Sequence, residues 1–189
     1  MTPDNPENRH LIWQEEGRRD IFKTRVFTVR ESSARSPTGE PGTFTILDAP
    51  DWAIIIPVLE EAGERRFVMV RQWRHGSEAL SLEFPGGVFE SGEDPCEAAA
   101  RELREETAYR AGRIRKLADM SPNPAIMANR VHFFLAEDLR HTGNQELDAD
   151  EYVDVALVSP EEVLRNMGRP PYIHALMAAA LALYLQAPH

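Results

Sequence analysis

The sequence predicts an α/β fold in which a mixed β-sheet has helices packed outside it, preceded by a small antiparallel β unit. Strand-like apolar runs lie on both sides of one acidic helical segment, and an Ala- and Leu-rich helix closes the chain. A separate set of strands comes before the first strongly apolar run. We therefore divide the chain into a β subdomain, residues 1–48, and a larger domain, residues 49–189.

The N-terminal subdomain is predicted to consist of three strands. The first eight residues are polar and predict a frayed terminus. Strands are expected at residues 11–16, 20–29 and 43–47, with the Ser-, Pro- and Gly-rich stretch 32–42 as a hairpin loop. Because an isolated hairpin is marginal in water, this unit needs a partner surface.

The larger domain begins with an almost continuous apolar run, WAIIIPVL at residues 52–59, which predicts a buried central strand. Pro57 within it predicts a bulge or a sheet edge. Ser159 and Glu162 form a predicted capping box for one helix, and residues 171–186 form the final helix. Further strands are expected at residues 66–73, 82–84, 113–118, 130–136 and 152–158.

Composition limits the possible partners. The chain has 189 residues and a net charge of −10, which argues against coating nucleic acid or an anionic membrane. Its single cysteine rules out an internal disulfide and fits a reducing compartment. The polar N-terminus shows no secretory signal, and no apolar run reaches membrane-spanning length. We expect a cytoplasmic protein.

The acidic segment is predicted to be a helix. Asp94 suits its N-cap and Pro95 its first position. Its apolar face should be the side that packs, so Cys96, on that face, is expected to pack and not to act as a nucleophile. The residues of this face are Cys96, Ala100, Leu103 and Thr107.

Three glutamates crowd another face of this helix. Glu102, Glu105 and Glu106 fall within one turn, where like charges repel by about 0.2–0.5 kcal/mol per pair. They also lie in the C-terminal half, where the helix dipole disfavours anions. A solvated acidic face explains such a turn taken alone. A bound divalent cation would also offset the repulsion, since Mg²⁺ prefers carboxylate oxygens.

The spacing around these glutamates resembles the signature of the Nudix hydrolase family, G-x5-E-x7-R-E-U-x-E-E-x-G-U, where U is bulky and apolar. Gly87, Glu93 and the run RELREETAY at residues 101–109 match it at every charged position. Ala108 replaces the usual glycine and suggests a slightly different exit from the helix. The resemblance implies an α/β/α sandwich and a metal-dependent hydrolase.

Two further segments resemble the ADP-ribose and nucleoside diphosphate sugar pyrophosphatases of that family. They are VRQWR at residues 70–74 and LEFPGG at residues 82–87, and Pro124 matches a proline common beyond the box. The resemblance implies that residues 1–48 form a homodimer and that the substrate is a nucleoside diphosphate sugar. ADP-ribose hydrolases often have an acidic segment where this chain has neutral Ala128 and Asn129, so another nucleoside diphosphate sugar remains an alternative substrate.

The same resemblance implies roles for individual residues. Mg²⁺, for which Mn²⁺ can substitute, would be held by the Gly86 carbonyl and by Glu102, Glu105 and Glu106. Arg101 would orient Glu105 or Glu93 from behind, and Glu93 would support the site without binding metal. Arg74, Glu83 and Pro124 would contact the substrate, although Arg74 and Glu83 are also compatible with a purely structural ion pair. Glu151 is the expected general base, with three other acids of its loop as alternatives: Glu146, Asp148 and Asp150.

Three other functions compete with this interpretation. A Nudix-fold sensor would bind a nucleotide without cleaving it, but such proteins are expected to lose box carboxylates that this chain keeps. Hydrolysis of RNA 5′ ends is disfavoured by the acidic charge and the lack of a basic stripe. Hydrolysis of coenzyme A derivatives has no supporting motif.

Overall fold

A computed structural model of the chain describes residues 5–90 and 92–188, which form two compact units. The first unit contains the chain up to Pro50 together with Ser121–Asn129, and the second contains Asp51–Met120 and Arg130–His189. Strands of the first unit are β1 (Gln14–Lys23), β2 (Thr28–Arg35) and β3 (Pro41–Asp48). Those of the second are β4 (Trp52–Glu61), β5 (Glu64–Arg74), β6 (Ala79–Glu83), β7 (Tyr109–Met120), β8 (Val131–His141) and β9 (Val153–Val158), with helices α1 (Pro95–Thr107), α2 (Pro160–Asn166) and α3 (Ala175–Gln186).

The first unit is an antiparallel sheet in the order β1-β2-β3, but the predicted strand boundaries are wrong. The chain turns at residues 24–27, where the Thr24 hydroxyl accepts the Phe27 backbone N–H at 2.9 Å, and not at residues 17–19. Bulges near Gly17 and Asp20 let β1 continue through the expected break. The predicted loop 32–42 shrinks because β2 stays paired with β3 through Arg35.

The ends of the first unit are also ordered locally. The predicted frayed terminus is wrong for residues 5–8, since a 3-10 helix spans Pro6–Leu11 and the Asn5 side chain accepts the Glu7 N–H at 3.1 Å. Residues 1–4 of that prediction lie outside the described residues. The segment Ser121–Asn129 joins β3, where the Leu47 N–H donates to the Ile126 carbonyl at 2.7 Å.

The second unit is a mixed sheet covered by helices on both faces, with strand order β6-β5-β4-β8-β7 and β9 paired with β5. β4 runs parallel to β8, and the other neighbouring strands are antiparallel. Along β4, Ala53 and Ile55 pack against α1, whereas Ile54 and Ile56 pack in the cluster that includes α3. Both faces of β4 are therefore buried, which is why its sequence is continuously apolar.

Pro57 occupies a position that differs from both predictions. It is the last residue of β4 in register with β8, and from Val58 onward β4 pairs with β5 instead. The proline therefore lies where the strand changes its neighbour, in the interior of the sheet.

The final helices begin differently from expectation. Ser159 caps α2 by accepting the Glu162 N–H at 3.2 Å, but the Glu162 carboxylate accepts from the Tyr172 hydroxyl at 2.8 Å, so only half of the predicted capping box forms. α3 begins at Ala175, four residues later than predicted, because the Pro171 carbonyl accepts the Leu82 N–H of β6 at 2.9 Å. Across residues 5–90 and 92–188, no helix has both the length and the apolar character of a membrane span.

Candidate active site

Helix α1 is held at both ends and buried along one side. Asp94 caps it by accepting the Cys96 N–H at 2.8 Å, and Pro95 is its first residue. Ala99 and Leu103 are fully buried against β4 and β8. The predicted packing of Cys96 is wrong, because its residue is exposed at the first turn. The buried face is rotated from the predicted one and carries two glutamates, Glu102 and Glu106.

The exit from α1 also corrects the sequence analysis. Ala108 adopts the left-handed conformation, with φ of 58°, that the family's usual glycine would take. Its backbone N–H still donates to the Arg104 carbonyl at 2.9 Å. The exit is therefore the ordinary one, and the alanine carries a backbone strain of about 1–2 kcal/mol that glycine would not.

Two glycines bring the backbone between β4 and α1. A Cβ on Gly86 would lie 2.2 Å from the Ala53 carbonyl oxygen, so only glycine allows this approach to β4. A Cβ on Gly87 would lie 2.3 Å from Oε1 of Glu102, so that carboxylate can pack directly against the backbone here only because the residue is glycine. The Gly86 N–H donates to Oε2 of Glu106 at 2.9 Å and therefore faces α1.

Arg101 gathers the other acidic side chains of this region. Its Nε and Nη2 donate to the two carboxylate oxygens of Glu93 at 2.9 and 3.0 Å. Its Nη1 donates to Oε1 of Glu102 at 2.9 Å and to Oε2 of Glu105 at 3.1 Å. The hydrogen bond to Glu93 is the main cause of a raised Arg101 pKa. This arrangement places Arg101 as a support that fixes several carboxylates at once.

The two buried glutamates are held at an electrostatic cost. Burial raises the pKa of Glu102 although Arg101 opposes the shift. Burial raises the pKa of Glu106 to about 8, and the negative charges of Glu102 and Glu151 add to the effect against the hydrogen bond from Gly86. These carboxylates lie only 9% and 4% exposed, respectively. A site built this way favours a cation.

The donor set fits a hard divalent cation. Two buried carboxylates one helical turn apart lie against the backbone of Gly86 and Gly87, and oxygen donors of this kind suit Mg²⁺. Within the described ranges, no three His, Cys, Asp or Glu side chains already converge on one point. Nη1 of Arg101 engages both Glu102 and Glu105.

The loop of residues 142–152 is fastened to the C-terminal end of α1. The Gln145 amide donates to the backbone carbonyls of Glu106 and Val153, and the Glu146 N–H donates to the Glu105 carbonyl at 2.9 Å. Carbonyls at the end of a helix lack partners within it, so these bonds satisfy groups that would otherwise be unpaired. The loop is therefore placed by α1 itself.

Within this loop the four candidate bases are not equivalent. Glu151 is exposed, and its charge acts on both Glu102 and Glu106. Glu146 instead lies 3.3 Å from Nη2 of Arg104 in an ion pair. Oε2 of Glu151 accepts the Asp148 backbone N–H at 3.1 Å, which ties down the loop. The electrostatics favour Glu151 over Glu146 as the acid beside the buried pair.

A second polar group lies where β5 and β6 meet. Arg74 forms a two-bond pair with Glu83, at 3.0 Å from Nε to Oε1 and 2.6 Å from Nη2 to Oε2. Nδ1 of His174 lies 2.9 Å from Oε2 of the same carboxylate. Burial alone would raise the Glu83 pKa, but the hydrogen bonds from His174 and Arg74 hold it far below its usual range. Arg74 also lies close enough to Glu106 to lower that carboxyl's pKa.

Comparison with known proteins shows the family of this chain. Residues 49–178 match the family model of the NUDIX domain. The chain belongs to the Nudix family. It is 33% identical over 167 residues to the ADP-ribose pyrophosphatase of Bacillus subtilis (strain 168), covering 88% of each chain. It is 32% identical to the CMP-5'-(N-acetyl-N-hydroxy-3-aminopropyl)phosphonate hydrolase of Streptomyces rubellomurinus (strain ATCC 31215), covering 82% of this chain and 75% of that one.

A crystal structure of an ADP compounds hydrolase matches with a TM-score of 0.80 at 21% identity, covering 92% of each chain. The predicted α/β fold and the Nudix resemblance are therefore confirmed. The protein is a Nudix pyrophosphatase, a hydrolase of phosphorus-containing anhydrides. Nudix hydrolases generally use divalent metal ions.

The Nudix box residues thus lie together in the structure. Two residues predicted to contact the substrate, Glu83 and Pro124, lie in other surroundings. Glu83 is 2% exposed and both of its carboxylate oxygens accept hydrogen bonds from Arg74, so it is better placed to orient Arg74 than to contact a ligand. Pro124 is exposed in Ser121–Asn129, a segment of the first unit.

Sequence reasoning missed His174 and Gln145. A histidine at a helix N-cap, where Ser, Thr, Asp or Asn is preferred, is a pattern that would have singled out the former. No pattern marks Gln145.

Proposed function

We propose that this Nudix enzyme hydrolyses the diphosphate of ADP-ribose or a related nucleoside diphosphate sugar, giving a nucleoside monophosphate and a sugar phosphate. The observation that carries the proposal is the buried carboxylate pair, Glu102 and Glu106, in a chain similar along 88% of its length to an ADP-ribose pyrophosphatase. A nucleotide sensor that does not turn over would not need to keep two carboxylates buried at this electrostatic cost.

Mg²⁺, or Mn²⁺ in its place, is the proposed cofactor, held by Glu102, Glu106 and the Gly86 carbonyl. Glu105 would join as a ligand where Arg101 releases it. When bound, such an ion neutralises charge on the diphosphate and makes a nearby water more acidic. Three observations support this set: the burial of the two glutamates, the packing of the Glu102 carboxylate against Gly87, and the Gly86 N–H that faces Glu106 of α1.

The chain's own groups have distinct proposed roles in the hydrolysis. Arg74 binds a phosphate oxygen of the diphosphate, since its Nη1 is left over from the pair with Glu83. Glu151 accepts a proton from water as the water oxygen attacks phosphorus. The bond from that phosphorus to the bridging oxygen breaks, and the bridging oxygen leaves with the other phosphate. Arg101 keeps Glu102 in place through the hydrogen bond from its Nη1 to Oε1.

The substrate is tested by a product assay with ADP-ribose, ADP-glucose, GDP-mannose and UDP-glucose in Mg²⁺. The expected result is AMP and ribose 5-phosphate from ADP-ribose, with another sugar nucleotide as an alternative best substrate. Chelator should abolish turnover, and Mg²⁺ or Mn²⁺ should restore it. Turnover that resists chelation would refute the metal assignment, and no cleavage of any of the four would refute the substrate class.

Residues 1–48 are proposed to form a homodimer. Support comes from the large apolar side chains that β1 and its neighbours leave exposed, among them Ile21 at 53% and Phe22 at 61%. Light scattering of the full chain should give the mass of two chains. Deletion of residues 1–48 should give a monomer or an aggregate, and a well-behaved dimer after deletion would contradict this proposal.

A further inference from the structure

The segment before and within the first turn of α3 covers the outer edge of β6. β5 pairs with one edge of β6, and the N–H groups of Leu82 and Phe84 point to the other. An edge strand with unpaired N–H groups is costly unless something covers it. Three residues of this segment, each three positions after the last, contact consecutive residues at the end of β6. The Pro171 carbonyl accepts the Leu82 N–H, Nδ1 of His174 contacts Glu83, and Sδ of Met177 accepts the Phe84 N–H, each at 2.9 Å.

His174 is the member of this set that local helix stability does not explain. It is the N-cap of α3, yet its side chain makes no capping hydrogen bond. Ser, Thr, Asp or Asn would stabilise the helix end better, and any positive charge there opposes the helix dipole. The imidazole is directed instead at Glu83, a carboxylate whose side chain is only 3% exposed.

Through Glu83 this contact reaches Arg74. Oε2 of Glu83 is shared by His174 at 2.9 Å and by Nη2 of Arg74 at 2.6 Å. With Oε1 also bound to Nε of Arg74, the plane of the carboxylate sets the plane of the guanidinium. Two independent donors hold a carboxylate in one rotamer more firmly than one, so loss of the imidazole lets the pair turn. Of these three side chains, Arg74 is the most exposed, at 43%, so it is the one that can meet a ligand from solvent.

We propose that His174 is a positioning residue for hydrolysis, which fixes Glu83 so that Glu83 aims the Arg74 guanidinium at the diphosphate. The inference rests on the proposed function for the role of Arg74, and it assigns a task to the C-terminal segment. β6 leads directly into Pro85-Gly86-Gly87, and the backbone contacts of Leu82 and Phe84, which do not involve the imidazole, hold the end of β6 before Gly86.

The first test compares variants of His174 in the full chain. His174→Ala should lower kcat/KM for ADP-ribose with Mg²⁺ about 10- to 100-fold, the scale expected when a catalytic group is misplaced by about an ångström. His174→Asn should restore it to within about threefold, because the asparagine amide nitrogen lies near the position of Nδ1. Tyr172→Phe is the matched control, because it removes only the hydroxyl bonded to Glu162 from the same segment, and it should retain wild-type activity.

A double-mutant cycle separates positioning from general loss of structure. On an Arg74→Ala background, His174→Ala should cause no further loss of kcat/KM, because the group it positions is gone. Losses that multiply in the double variant would overturn the inference. So would an asparagine variant as impaired as the alanine variant.

A readout without turnover keeps this inference distinct from the proposed function. The Nε–H resonance of Arg74, followed by ¹⁵N NMR, should be present in the wild-type protein and in His174→Asn, and weakened by faster exchange in His174→Ala. A resonance unchanged in His174→Ala would overturn the inference. If the resonances behave as expected but the wild-type protein cleaves no nucleoside diphosphate sugar, the proposed function fails and the hold of His174 on Arg74 stands.

Discussion

Glu106 is predicted to weaken the metal-free protein as the pH rises, and Glu106→Gln should remove that effect. The carboxyl is 4% exposed, and its pKa is raised from 4.5 to about 8 by burial. The folded state therefore binds the proton more tightly than the unfolded state. This contribution to stability is complete below the unfolded pKa and is lost as the pH rises through about 8. Glutamine is isosteric, keeps an oxygen for the Gly86 N–H and has no charge to ionise.

The expected size follows from the two pKa values. Relative to strongly acidic solution, the loss at this one group is about 1 kcal/mol at pH 5 and about 4 kcal/mol at pH 8. The wild-type free energy of unfolding should therefore fall by about 3 kcal/mol relative to Glu106→Gln between these pH values. Subtracting the variant cancels the titration of groups that do not interact with Glu106, such as Glu83, whose lowered pKa acts in the opposite direction at acid pH.

The assay is urea unfolding in chelator at pH 5, 6, 7 and 8. Glu97→Gln is the matched control, because Glu97 is an exposed acid in the first turn of the same helix. In Glu97→Gln, the difference in the free energy of unfolding between pH 5 and pH 8 should stay within about 0.5 kcal/mol of the wild-type difference. Parallel pH profiles for wild type and Glu106→Gln would refute the buried, raised-pKa carboxylate. Glu106→Gln should also lose hydrolysis by orders of magnitude, so the gain in stability would come with loss of function.

Five further substitutions test the site and the C-terminal end of α1. Gly87→Ala should abolish hydrolysis at modest cost in stability, because its Cβ would strike the flexible end of the Glu102 side chain. Gly86→Ala should prevent stable folding, because its Cβ would strike the backbone of β4. Circular dichroism and an activity assay distinguish the two outcomes. Glu151→Gln should lower kcat about 100-fold or more while Asp148→Asn stays within about fivefold, and equal losses would remove Glu151 as the base. Ala108→Val should destabilise the fold by more than about 2 kcal/mol in urea unfolding, since a β-branched residue fits the buried left-handed position poorly.

The central strands and the box helix could be predicted because local patterns are sufficient there. The apolar runs of β4 and β5 and the cap at Asp94 are properties of neighbouring residues. The turn at Thr24 was missed because a threonine hydroxyl stabilises it, and the bulges that carry β1 through residues 17–19 have no local sequence signal. The exposed Cys96 was missed because the predicted apolar stripe gave no weight to buried glutamates.

The sequence by itself determined the family, the order of the main elements and the identity of the clustered carboxylates, because these depend on residue types at fixed short spacings. Only the tertiary structure decided how those carboxylates are held. Arg101 joins three carboxylates, Gly86 contacts Glu106 from twenty residues away, and His174 contacts Glu83 across ninety-one residues. Burial and charge at a site are sums over groups that folding brings together from distant parts of the chain, and a local pattern does not contain them.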